Sequence, residues 1–169
     1  MIEIKVELYK SSLIVPAKMW SPASDGYLFS PMVFDTGASM TCISEEAAEY
    51  AGLEIDRTNK VTVTTGSGTI DAYYTLIPDL QLADISIGPV LAQVIKFPAE
   101  LKVSALLGLN VIKEFSLNMD FNKNAATRKI EVDICMTPKF DTGKLCKVED
   151  FNSRDSDQRF GNIYAVTKL

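Results

Sequence analysis

The stretch VFDTGASMTCIS, residues 33–44, sets one ionisable side chain, Asp35, inside a run with no further charge until Glu45. Burial among apolar neighbours penalises a charged carboxylate. Asp35 is therefore either a solvated turn residue accepting local backbone bonds, or a group whose awkward position serves chemistry. Its surroundings are ordered: Met32, Val33 and Phe34 form an apolar lead, and residues 40–43 read as a strand. Ser44 then stands where it caps a helix EEAAEYAG, with Glu45 and Glu46 on the first turn and Gly52 as the stop.

Further out, the first hundred residues punctuate as short β segments. Ile2, Ile4, Val6 and Leu8 alternate with polar residues, so the beginning reads as a strand and not as a signal peptide. SLIVPAKMW, a turn SPASDG and YLFSPMVFD follow. Residues 60–77, KVTVTTGSGTIDAYYTLI, read as a hairpin with Gly66 and Gly68 supplying positive φ at its tip. Residues 80–97 give two further strand signals on either side of Gly88-Pro89. SALLGLNVIKEF, residues 104–115, reads as a strand turning into a short helix at Gly108, 71 positions after Gly37. A last hairpin, residues 116–134, has its turn near residues 122–126. The expected organisation is one mostly-β domain over residues 1–135, with one or two short helices, and a polar extension over residues 136–169.

Composition narrows the chemistry. At 169 residues, with 47% hydrophobic and 23% charged residues, the chain can bury a real core. A net charge of −5 without a basic stripe argues against a nucleic-acid partner, and no run approaches the ~20 apolar residues that span a bilayer. Three cysteines (Cys42, Cys135, Cys146), an odd number without metal-type spacing, point to free thiols in a reducing, cytoplasmic setting. The chain contains no histidine, which removes Ser-His-Asp and Cys-His hydrolases and histidine-ligated zinc peptidases. A hydrolase built from these residues would move protons with carboxylates and need no metal or other cofactor.

The DTGA loop between an apolar strand and a Ser-capped helix resembles the active-site loop of retropepsin-like aspartic proteases. Leu106, Leu107 and Gly108 resemble their second signature, and the hairpin tip Gly66, Ser67 and Gly68 stands where that family keeps its flap. The resemblance covers residues 1–135 and implies an acid-protease β-barrel or sandwich. It also implies a homodimer, because peptide hydrolysis by this route uses two carboxylates sharing one proton and each chain supplies one Asp35. Gly37 lets the backbone curl round the carboxylate and offer an N–H, and Ala38 fills the apolar surround. By the same resemblance the Thr36 hydroxyl bonds across to the partner loop. Asn110 departs from the Asp that many relatives carry, a change expected to be tolerated.

Other readings are weaker. TTGSGT lacks the Lys and the strand-loop-helix setting of a phosphate loop. A second FDTG, residues 140–143, has a single apolar lead residue and Lys144 where a small residue belongs, so Asp141 reads as a surface turn. An actin-like ATPase needs far more chain. A dimerisation or peptide-binding module on the same fold, without protease activity, stands as the alternative to an endopeptidase acting on polypeptides.

Overall fold

The computed structural model describes residues 4, 7–9, 12–66, 68–83, 85–98, 103–123 and 130–139. Ser67, Asp141, Cys146 and most of the extension lie outside the described residues.

Prolines divide the N-terminal apolar runs. Proline has no N–H to give a ladder, and each run splits there into two strands that join different neighbours. β2 (Ser12–Val15) ends before Pro16 and β3 (Ala17–Ser21) follows it; β4 (Gly26–Phe29) and β5 (Met32–Phe34) are separated at Ser30-Pro31. β2 pairs antiparallel with β5 and with β1 (Glu7–Tyr9), whereas β3 pairs with β4. β6 (Thr41–Ser44) leads directly into α1 (Glu45–Tyr50). The Ser44 hydroxyl accepts the Ala47 N–H at 3.1 Å, and Gly52 takes φ +72° just past the helix end, as the cap and stop residues require.

β7 (Ile55–Thr65) and β8 (Gly68–Leu82) form a hairpin longer than its sequence signal. Residues 57–60 bulge out of register between the Asp56–Tyr74 and Val61–Ala72 pairs. Asp56 Oδ1 accepts from the Thr58 N–H and hydroxyl, and its Oδ2 from Asn59, which organises the bulge. Of the two tip glycines Gly68 has positive φ, +128°, and Gly66 does not, a correction to the expected pair. β8 runs on to pair with β3 and, through the Ala83 turn (φ +53°), with β9 (Ile85–Ile95).

Gly88-Pro89 does not separate two strands: it lies inside β9. The Asp79 carboxylate explains why, since its Oδ1 accepts the Gly88 N–H at 2.9 Å and the Ser86 hydroxyl at 2.6 Å, while its Oδ2 accepts from Tyr27. A local break is converted into a bulge with φ +81° at Gly88.

β10 (Ala105–Leu107) and α2 (Leu109–Ile112) form the strand-to-helix element read at Gly108. Among the described residues ten strands make one curled sheet in the order β1-β2-β5-β10-β6-β9-β8-β3-β4, with β7 on β8. β11 (Phe115–Lys123) and β12 (Ile130–Pro138) pair as a separate hairpin, so the last strand among the described residues passes residue 135 and ends at Pro138. Ile4, Met32, Ile43, Ile77, Leu80 and Leu107 are fully buried in the core, each contributing roughly 1.5–3 kcal/mol of burial.

Candidate active site

The site is built by one insertion. β10 lies between β5 and β6, the two arms of the DTGA connection: it runs parallel to β5 (Leu107 opposite Phe34) and antiparallel to β6 (Leu106 opposite Cys42). Residues 35–40 therefore arch over the end of β10, and hydrogen bonds close the arch. The Asp35 N–H donates to the Leu107 carbonyl at 3.1 Å, and the Ala38 N–H to the Asp35 carbonyl at 3.3 Å. Past the arch, the Leu109 and Asn110 N–H groups donate to the Ala38 and Ser39 carbonyls at 2.8 and 3.1 Å.

Asp35 is half-buried, and its Oδ1 accepts the Gly37 N–H at 2.8 Å. A Cβ built on Gly37 would lie 3.1 Å from that same oxygen, so glycine provides the close approach expected of it. Thr36 is exposed and Ala38 half-buried. In the second signature the side chains alternate. Leu107 points into the main core, whereas Leu106 packs against a smaller apolar cluster that includes Cys42, Ala72 and Ile95. Val61, Val63 and Ile70 of the β7–β8 hairpin pack on the same cluster. The hairpin thus shares an apolar surface with the strands that frame the loop carrying Asp35. Its base is held to α1, where Arg57 bonds Glu45 and Glu49 and lies 5.9 Å from the Tyr73 ring centroid. Gly66 and Gly68 meet nothing within 4 Å of an added Cβ.

Gly108 is required by space and not by dihedral angle. Its φ is −98°, but a Cβ there would fall 2.3 Å from the Met40 carbonyl carbon and 2.6 Å from the Thr41 N. Three further participants, Thr41, Asn110 and Cys42, were not among the expected site residues. Buried Thr41 accepts the Gly108 N–H on its hydroxyl at 3.2 Å, and both its N–H and its hydroxyl donate to Asn110 Oδ1, at 2.7 and 2.9 Å. Cys42 is buried beside the loop. Removal from water, and then the nearby Asp35 charge, push its thiol up to about 11. Among the described residues no cluster of His, Cys, Asp and Glu is arranged to hold a metal ion, and no helix is long and apolar enough to cross a membrane.

No curated protein matches the chain. Among solved structures, the chain is similar to a retropepsin-like aspartic protease from Rickettsia conorii, at 16% identity and a TM-score of 0.55, covering 80% of this chain and 91% of that one. A retroviral protease-like domain of Ddi1 from Leishmania major matches at 18% identity and a TM-score of 0.44, covering 79% and 98%. The first likeness is one of fold. The family model described as "gag-polyprotein putative aspartyl protease" matches residues 28–114, a little over half of the 169, and so takes in the DTGA loop, the hairpin and the second signature. The chain belongs to this family of retropepsin-like aspartic proteases.

Proposed function

We propose that the protein is an aspartic endopeptidase whose active site forms when two copies bring their Asp35 carboxylates together. The observation that carries this reading is the frame of the loop. β10 and Gly108 brace it from below, the Gly37 N–H holds Oδ1, and the carboxylate stays half-open to solvent. Such bracing suits a group that must hold its position while its proton moves. One carboxylate takes a proton from water while the other, protonated, polarises the scissile carbonyl, so two are needed and each chain offers one such loop. Leu109, whose N–H bonds the Ala38 carbonyl in the loop, is 40% exposed, which leaves apolar surface next to the loop's backbone for a second copy to cover.

Thr36, exposed at the edge of the loop, is the group to bond across the two-fold axis, and Ala38 lines the carboxylate pair. Extended polypeptide would lie between the loop and the β7–β8 hairpin, acting as a flap with Gly66, Ser67 and Gly68 at its tip. Backbone bonds would hold the substrate, with apolar side chains against Leu106 and its neighbours. No cofactor takes part in this scheme.

The test is a pH series of peptide cleavage by wild type and by Asp35→Asn, with melts of both. Wild type should have a pH optimum with the rate falling on either side, because activity needs the singly protonated pair. Asp35→Asn should fall to background while melting as wild type does. Equal cleavage by the two proteins refutes the mechanism; no cleavage by either, in an intact dimer, points to a non-catalytic module.

A further inference from the structure

We propose that Asn110 is a positioning residue of this site. Its carboxamide oxygen holds the exit of the Asp35 loop, and its NH2 ties that exit to the strand supporting the hairpin. The catalytic half of this inference rests on the peptidase reading; the structural half does not.

The orientation of the amide is dictated by its partners. The Thr41 N–H can only donate and the Leu91 carbonyl can only accept, so Oδ1 faces Thr41 and Nδ2 faces Leu91, at 2.7 and 3.0 Å. A flipped amide would set like against like at both ends. The Thr41 hydroxyl gives its single proton to Oδ1 at 2.9 Å, which leaves its lone pairs for the Gly108 N–H at 3.2 Å. One side chain thus satisfies both donors of a fully buried threonine, groups that would be costly to leave unpaired. Thr41 is the residue at which the loop re-enters the sheet. Leu91, on the other side of the amide, lies opposite Leu76 of β8, the strand that continues into the hairpin. Asn110 therefore joins three things 19 and 69 residues apart in sequence: the loop exit, the start of α2 and the hairpin's supporting strand.

The two ends of the amide are not equal. Oδ1 takes two bonds, one of them the backbone N–H of Thr41, and Nδ2 gives one. The loop should depend mainly on an acceptor at position 110. Asn110→Asp keeps that acceptor; Asn110→Ala removes it and leaves the buried Thr41 donors without it.

The experiment reads amide exchange at Thr41 together with kcat and KM for a cleavable peptide, in wild type, Asn110→Asp and Asn110→Ala. In Asn110→Ala the Thr41 amide should exchange at least about tenfold faster relative to β9 amides. Its kcat should fall about ten- to hundredfold with KM within about twofold, the signature of misplaced chemistry and not of lost binding. Asn110→Asp keeps the acceptor for Thr41 but sets an oxygen against the Leu91 carbonyl. It should hold Thr41 exchange near wild type and fall between wild type and Asn110→Ala in kcat. Unchanged Thr41 exchange in Asn110→Ala, or an Asp variant as impaired as the Ala variant, overturns the proposal. Should Asn110→Ala not fold, Thr41→Val against Thr41→Ser decides: the serine should retain kcat and the valine lose it, and equal values overturn the assignment. If wild type cleaves nothing, the peptidase reading fails, while Thr41 exchange still tests the role of Asn110.

Discussion

Gly108→Ala is the sharpest structural perturbation, because a single methyl group meets backbone on which nothing can rotate away. The added Cβ would lie 2.3 Å from the Met40 carbonyl carbon, 2.4 Å from its oxygen and 2.6 Å from the Thr41 N. Since φ at Gly108 is −98°, alanine has no dihedral objection, and the whole cost is displacement. Overpacking of this kind costs about 1–3 kcal/mol. Pushing the start of α2 off the loop also strains the Gly108–Thr41, Leu109–Ala38 and Asn110–Ser39 bonds, each worth roughly 0.5–1.5 kcal/mol. With about half of that second contribution lost, the total is about 2–5 kcal/mol. At roughly 2–4 °C per kcal/mol for a chain of this size, the melting temperature should fall by about 4–20 °C. Gly66→Ala is the internal control: nothing lies within 4 Å of its Cβ and its φ is not positive, so the change should stay within about 0.5 kcal/mol. Thermal melts of the two variants beside wild type make the comparison. A Gly108→Ala protein melting within about 2 °C of wild type would refute the close packing of the second signature on the loop.

Cys42 should resist alkylation in the folded protein. Its thiol is buried and pushed from an ordinary 9.0 up to about 11, so site-resolved labelling at pH 8 should reach Cys42 only after denaturant is added. The sign of its linkage follows: the unfolded thiol ionises first, so the stability it contributes is intact below pH 9 and is lost as pH rises towards 11. Cys42→Ala should therefore flatten the alkaline decline of the melting temperature. Asp79→Ala removes the acceptor for Tyr27, Ser86 and Gly88 at once and should cost about 2 kcal/mol in denaturant titration. In native-state amide exchange, the tip pairs Thr64–Thr69 and Thr65–Gly68 should exchange well before the Phe34–Leu107 region; equal protection would remove the flap role.

What the sequence disclosed and what it concealed divide along locality. Ser44 with Glu45, Glu46 and Gly52 encodes α1 within one turn of either end, and those signals act whatever the tertiary setting. DTGA and LLG were likewise readable, because the Asp35 carboxylate comes close at Gly37 and the Met40–Thr41 backbone leaves no room for a side chain at Gly108. Gly88-Pro89 misled because the group that keeps it inside a strand, Asp79, is nine residues away. The first part of β7, before Lys60, carried no strand signal, because the bulge at residues 57–60 is held by Asp56 and not by alternation. Asn110 carries no local pattern that announces its work. Its partner Thr41 is 69 residues distant, and only the insertion of β10 between β5 and β6 brings them together.

The central claim, that two Asp35 side chains from two copies make one site, is tested most directly by mixing. A fixed amount of wild type is equilibrated with increasing Asp35→Asn protein, and peptide cleavage is measured after exchange of subunits. A hybrid dimer holds one carboxylate and lacks the pair, so each mixed dimer withdraws a wild-type chain from service. An equimolar addition should leave about half of the starting activity and a ninefold excess about a tenth. Activity that stays constant as the Asp35→Asn chain is added, with hybrid dimers demonstrably present, would contradict the account.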